Sequence, residues 1–219
     1  MHDLVFLFDV DNTLLDNDHV QRDLGDYLNE CFGAEARNRY WALFEELRAS
    51  LGYADYLGAL QRYRLEDLHN PRVLRMANWL ADYPFAERLY PRAVDAVRRA
   101  QEWGTTVILS DGDAAFQPRK VERSGLWQLF GDNVLIFVHK EQSLGDVERL
   151  FPARHYVMID DKLHILQAVK QAWGSRVTTV FPRQGHFALE PGVEERFILP
   201  DIRLERIADL LESQRNAFG

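Results

Sequence analysis

Two carboxylates spaced two residues apart, with a hydroxyl two residues further on, open the chain at Asp9-Val10-Asp11-Asn12-Thr13. Three more polar clusters follow at Ser110-Asp111-Gly112-Asp113, at His139-Lys140 and at Asp160-Asp161-Lys162. Crowded carboxylates repel one another, so gathering these groups in one place requires a cation. Oxygen donors without a histidine or cysteine cluster suit Mg²⁺ rather than zinc. Thr13, Ser110, the Gly112 amide and Lys140 are groups that could then hold a phosphate, through neutral donors and one point charge.

The clusters need a scaffold that brings them together. Each one ends a short apolar segment that reads as a buried strand, at residues 5–8, 105–110, 134–138 and 155–160, and a fifth such segment spans 177–181. Helical patterns separate the later segments. Pro91 opens one with Val94, Val97, Ala100 and Trp103 on a single face, stopped by Gly104. Ser143 is placed to cap a helix carrying Leu144, Val147 and Phe151 inward, and Leu166, Val169 and Trp173 mark another that ends at Gly174. Strands alternating with helices at this spacing predict an α/β fold with a mainly parallel sheet. In such sheets ligands bind beyond the carboxyl ends of the strands, which is where all four polar clusters fall.

Residues 16–88 break this rhythm. They contain no strand pattern but several amphipathic stretches: Val20, Leu24, Tyr27, Leu28 and Cys31 share one face, as do Tyr40, Phe44, Leu47 and Leu51, and then Tyr53, Leu57 and Leu60. Asn70-Pro71 starts a further helix with Val73, Leu74, Ala77, Leu80 and Ala81 behind it. Such a stretch is too long for a simple crossover. It predicts a small helical domain at 16–88, inserted into a core made of 1–15 and 89–219.

The chain of 219 residues is long enough for one or two domains, with roughly 10,000 Å² of folded surface. Its composition is that of a globular protein, 47% hydrophobic and 27% charged. A formal charge of -8 disfavours generic binding to nucleic acid or to an anionic membrane, so neither is expected as a partner. The single cysteine, Cys31, excludes an intramolecular disulfide framework and reads as a core residue on its apolar face. No apolar run reaches membrane-spanning length and the start of the chain lacks a signal-peptide pattern, so a cytoplasmic location is expected.

In the order and placement of its four motifs the chain resembles the haloacid dehalogenase (HAD) superfamily, whose phosphatases carry Asp-x-Asp-x-Thr after the first strand. Asp9-Val10-Asp11-Asn12-Thr13 matches that signature, Ser110 the second motif, Lys140 the third and Asp160-Asp161 the fourth. The resemblance covers the whole chain and implies a Rossmann-like core with a parallel sheet flanked by helices, the insertion sitting where the family's helical cap belongs. It further implies a Mg²⁺-dependent hydrolase acting on a small phosphorylated metabolite. Asp9 would be the nucleophile that forms an aspartyl-phosphate, and Asp11 the acid and then the base. Lys140 would act as a catalytic and substrate-binding cation, with Thr13, Ser110, Asp111 and Gly112 around the phosphate. The metal would take Asp9, the main-chain carbonyl of Asp11, and Asp160 and Asp161, either of which could touch it directly.

Asp11 narrows the implied reaction. Dehalogenases of the superfamily lack an aspartate there because halide leaves without a proton, whereas an alkoxide needs one. Phosphomutases share the residue, so mutase chemistry stays open, as do a catalytically silent HAD-like protein and a receiver-like signalling domain. The chain departs from the family in three places. His164 and Ile165 stand where a further Asp or Asn is usual after the acidic pair, Asp111 stands where Asn is frequent, and no proline follows Lys140. Lys120 and Lys162 are alternatives to Lys140, although Lys120 falls in a helical stretch. His139 and His155 flank strands and read as structural. Arg183, Gln184, Gly185 and His186 read as a surface loop near the crevice, and Asp16 as a turn or hinge residue. Arg22, Arg39 and Arg48 are the basic residues of the insertion placed to face a substrate's leaving group.

Overall fold

A computed structural model describes residues 1–66 and 68–219. Six parallel strands form one sheet in the order β3-β2-β1-β4-β5-β6. They are β1 (His2–Phe8), β2 (Thr105–Asp111), β3 (Val134–Phe137), β4 (Ala153–Ile159), β5 (Val177–Pro182) and β6 (Ile202–Leu204). From Val5 to Phe8 the first strand is completely buried, since it lies at the centre with β2 on one side and β4 on the other. That position accounts for its uninterrupted apolar run, because both faces of a parallel sheet are covered. Chain order reverses between β1 and β4, so the crevice beyond their carboxyl ends is the expected ligand position. The register pairs Phe8 with Ile159, and this sets Asp9 beside Asp160.

Among the described residues four α-helices of the insertion follow β1: α1 (Asn17–Phe32), α2 (Ala34–Leu51), α3 (Tyr56–Glu66) and α4 (Arg72–Asp82). Seven more follow: α5 (Ala93–Gln101), α6 (Phe116–Arg123), α7 (Leu126–Phe130), α8 (Leu144–Leu150), α9 (Leu163–Trp173), α10 (Gly185–Ala188) and α11 (Val193–Arg196). The chain leaves for α1 and returns from α4 through two adjacent crossings. Leu15 and Leu89 form an antiparallel bridge, and Asp16 N donates to Arg88 O at 2.8 Å while Tyr90 N donates to Leu14 O at 2.9 Å. Buried residues of the four helices, Leu24, Tyr40 and Tyr56 among them, join Phe6 and Phe8 of the sheet in one continuous apolar cluster. The opposite face packs Val5, Leu7 and Met158 against α8 and α9.

Several local expectations differ from the fold. Cys31 is exposed, near the end of α1, whose fully buried apolar residues are Val20, Leu24 and Leu28. On α4, Met76 rather than Leu74 turns inward, and Leu74 is 54% exposed. Ser143 precedes α8 but makes no cap; its hydroxyl donates instead to His139 O at 3.2 Å. Asp16 is the residue that caps, accepting from His19 N at 2.8 Å at the start of α1. Among the described residues no helix is long and apolar enough to cross a membrane.

Candidate active site

Directly after β1 the Asp9 amide continues the ladder, donating to Ile159 O at 3.0 Å, and this fixes the carboxylate at the crevice. Its Oδ1 accepts from Lys140 Nζ at 2.5 Å. The same ammonium lies 2.6 Å from Asp160 Oδ2, close in distance but off the line of a hydrogen bond. Lys140 is fully buried. Burial works against its charge, yet Asp160, Asp9 and Asp111 together hold its pKa well above the ordinary value. Of Lys140, Lys120 and Lys162, Lys140 is the one that donates to Asp9. Asp111, expected beside a phosphate or bonded to backbone groups of its loop, lines the crevice and accepts the Lys140 main-chain N–H at 2.7 Å, which sets that lysine's position.

One carboxylate oxygen each from Asp9, Asp160 and Asp161 lies within 4.8 Å of the others. Asp9 Oδ2 and both Asp161 oxygens are buried without a hydrogen-bond partner. Burial pushes the pKa of Asp160 up to about 6 against the pull of Lys140, and burial likewise raises Asp161 well above its usual range, against Lys162. Buried acceptors without donors are rare in folded proteins. An all-oxygen cluster of this kind fits a hard divalent cation. The Asp11 carboxylate stands outside the cluster.

A stability prediction follows from these shifts. The folded-state pKa of Asp160 is raised from 3.8 to about 6, so the metal-free fold is favoured below 3.8 and loses that contribution as pH rises through about 6. Without divalent ions, the melting temperature is expected to fall between pH 4 and pH 7. Mg²⁺ at 100 times its dissociation constant should restore about 2.7 kcal/mol at pH 7 and much less at pH 4. Thermal scans with Mg²⁺ and with EDTA read both effects, and an unchanged melting temperature at pH 7 counts against a cation at this cluster.

Asp11 has partners that sequence reasoning missed. Lys120 Nζ donates to both of its oxygens, at 2.7 and 2.8 Å, and to Asn17 Oδ1 at 3.0 Å. Gln117 Nε2 donates to Ser110 Oγ at 3.0 Å and reaches Asp11 Oδ2 at 3.4 Å. Gln117 and Lys120 lie three residues apart on α6, hence on one face, and that spacing was the available signal. The Gly112 amide, expected to hold a phosphate, already donates to Phe137 O at 2.9 Å. Gly112 is required for closeness instead, since a Cβ there would meet Gln117 Cβ at 2.5 Å. Thr13 is fully buried, and its hydroxyl accepts the Asp161 amide at 3.2 Å.

The loop after β5, expected at the surface near the crevice, is partly buried, and its His186 lines the cavity over the crevice. Gln184 is buried, donating to Thr13 O at 3.1 Å and accepting from Ile207 N at 2.6 Å. His186 pairs with Asp18 of α1 through its amide at 2.7 Å and its Nδ1 at 2.6 Å. Gly185, at φ 72°, passes so near Asn12 that a Cβ would lie 2.4 Å from the Asn12 Cβ.

Above these residues is a cavity of about 300 Å³. Asp11, Asp111, His139, Lys162 and His164 line it from the core, while Asn17, Arg48 and Tyr53 line it from the insertion. His139, read as structural, is among the residues lining the cavity, whereas His155 lies away from it, with Nε2 2.9 Å from Thr178 Oγ1. Of the three candidate arginines only Arg48 lines this cavity; Arg39 pairs with Glu66 on the surface and Arg22 lies 3.8 Å from Asp16. Arg48 and Lys162 approach the Phe187 ring at 5.8 and 5.3 Å. Among the described residues no carboxylate lies within 4.0 Å of Lys162 Nζ, although Asp161 and Asp9 hold its pKa up against burial. A larger cavity of about 520 Å³, next to Tyr90 and Arg206, contains none of the clustered acids. The chain has four lysines against 22 arginines, and three of the four stand at this one crevice.

The family model for haloacid dehalogenase-like hydrolase matches residues 4–172. The chain belongs to that family. Comparison with curated proteins gives no match. A crystal structure described as a haloacid dehalogenase-like hydrolase from Burkholderia xenovorans LB400 is 57% identical, with a TM-score of 0.94 over 99% of both chains. The hydrolase YfnB of Bacillus subtilis, bound to magnesium, is 17% identical with a TM-score of 0.67, over 97% of this chain and 98% of its own. An L-2-haloacid dehalogenase of Xanthobacter autotrophicus carrying covalently bound chloropropionic acid is 18% identical with a TM-score of 0.62, over the same shares. The last two likenesses show the shared fold alone. The expected family and the parallel α/β architecture of this hydrolase are thereby established.

Proposed function

We propose that this hydrolase is a Mg²⁺-dependent phosphatase for a small phosphorylated metabolite. The observation that carries the reading is Asp9: one of its oxygens is held by Lys140, and the other is buried without a donor. Asp11 stands two residues on, in the wall of the cavity. Asp9 attacks phosphorus, and the bond from phosphorus to the leaving oxygen breaks as Asp11 gives that oxygen a proton. Water then attacks the aspartyl-phosphate, Asp11 takes the water's proton, and inorganic phosphate leaves with Asp9 restored.

A carboxylate nearing a phosphate dianion meets repulsion of about 4 kcal/mol per charge pair at 4 Å and an effective dielectric near 20. Lys140 offsets part of it. Mg²⁺ held by Asp9, Asp160 and Asp161 would supply the remaining positive charge. Arg48 and Lys162 suit an anionic substrate, and the cavity volume suits a small one. Asp9 is only 2% exposed, so the helical insertion acts as a cap that opens to admit substrate and closes to exclude water.

Dehalogenation is the competing reaction within the fold, and the retained Asp11 argues against it. The test is a screen of phosphorylated metabolites, p-nitrophenyl phosphate and 2-chloropropionate, each with Mg²⁺ and with EDTA. Phosphate release that requires Mg²⁺ is the expected result. Halide release without phosphate release overturns the reading, and an isomeric phosphate ester in place of free phosphate reassigns it to a mutase.

A further inference from the structure

Lys120 has no part in the steps above, yet it is among the most constrained side chains of the molecule. It is fully buried, and its ammonium has three hydrogens and three acceptors: both Asp11 oxygens and Asn17 Oδ1. Its charge also lies 5.6 Å from the Phe116 ring centroid and 5.7 Å from that of Tyr56. Half of this cage, Asp11 and Phe116, belongs to the core. The other half, Asn17 and Tyr56, belongs to the first residues of α1 and α3 in the insertion.

Asn17 joins the two halves, because its Oδ1 accepts from Lys120 while its Nδ2 donates to Tyr56 Oη at 3.1 Å. Gln21 Nε2 donates to the same hydroxyl at 3.1 Å. A continuous chain of contacts therefore runs from Asp11 through Lys120 and Asn17 to Tyr56, and it is complete only while the insertion is docked.

We propose that Lys120 is a positioning residue for Asp11 and makes the proton-transfer geometry conditional on the docked insertion. The proposal rests on the phosphatase reading. Lysine has donors only, so Lys120 holds both oxygens of the ionised Asp11, and when one oxygen carries the proton to be given to the leaving group the other stays held and keeps the carboxyl's direction. Proton transfer tolerates little misalignment, and a carboxylate free to rotate in the cavity wall would lose much of its effect.

The test compares wild type, Lys120→Met, Asp11→Asn and the double variant on two substrates. One is p-nitrophenyl phosphate, whose leaving group needs little protonation, and the other is an unactivated alkyl phosphate, whose leaving group needs a proton. Lys120→Met is expected to lower kcat/KM about 10²-fold on the alkyl ester and roughly tenfold or less on the aryl ester, within the usual range for acid–base catalysis. Adding Lys120→Met to Asp11→Asn should cost little more, since both changes act through one group.

Should Lys120→Met not fold, Asn17→Ala removes one acceptor and the link to Tyr56, and the same differential is expected in smaller size. An equal loss on both substrates, or additive losses in the double variant, overturns this role while the phosphatase reading stands. A wild type inactive on both esters with Mg²⁺ overturns that reading, and this role with it.

Discussion

Asp9→Asn is expected to reduce phosphate release by on the order of 10⁴-fold or more while the protein stays folded. In the proposed mechanism the amide keeps the size of the side chain but gives up the nucleophile, so no aspartyl-phosphate would form. Stability should move the other way in metal-free buffer. Asp9 is 2% exposed and shares its crevice with Asp160 and Asp161, so removing one of three buried like charges relieves repulsion, while Lys140 keeps Asp160 and an amide oxygen in place of the Asp9 carboxylate. The melting temperature without Mg²⁺ should therefore equal or exceed that of the wild type, and the increase on adding Mg²⁺ should shrink. Steady-state turnover and thermal scans on one preparation measure both. Full turnover by Asp9→Asn would show that the nucleophile has been placed on the wrong residue.

Lys140→Met should be the most damaging single change to the fold at this crevice. The lysine is fully buried between Asp9 and Asp160, and methionine fills its volume without replacing the charge. Removing one partner of a buried ion pair costs about 3–5 kcal/mol. For a chain of this length that is roughly 6–20 °C in melting temperature. The loss should depend on pH. Asp160 already titrates near 6 with the lysine present, so the orphaned acids take up protons readily, and the deficit should be smaller at pH 5 than at pH 7. Denaturant midpoints at the two values separate the explanations, since a purely packing role for Lys140 predicts the same deficit at both.

Those predictions draw on residues that the sequence exposes plainly. Asp9, Asp160 and Lys140 each end or follow a strand, and a parallel sheet has only one place to send such ends. The partners of Asp11 were hidden for a different reason. Lys120 and Gln117 lie inside α6, and Asn17 opens α1, positions where polar side chains ordinarily face water. Only the docking of α1 and α3 over α6 turns them inward, and that is a long-range fact. The Gly112 amide misled because sequence does not show which N–H groups the neighbouring strand has already taken; Phe137 O holds this one. The strand at Ile202–Leu204 escaped because three residues at a sheet edge are too few to establish a period.

The bridge between Leu15 and Leu89 has a consequence for how such a chain can change over generations. Residues paired across antiparallel backbone stand about 5 Å apart, so the chain leaves the core and returns to it at neighbouring points. Deleting residues 16–88 and joining the ends with a tight turn would leave the strand order and the acid cluster covalently undisturbed. The apolar cluster says otherwise, because Phe116 of the core packs on Tyr56 and on Phe85 of the insertion, and a bare core would turn the Phe116 ring to water. Topology permits one insertion to be exchanged for another, while packing forbids having none. A lineage built this way can exchange the wall that Asn17, Arg48 and Tyr53 give the cavity without rebuilding the acid cluster beneath it.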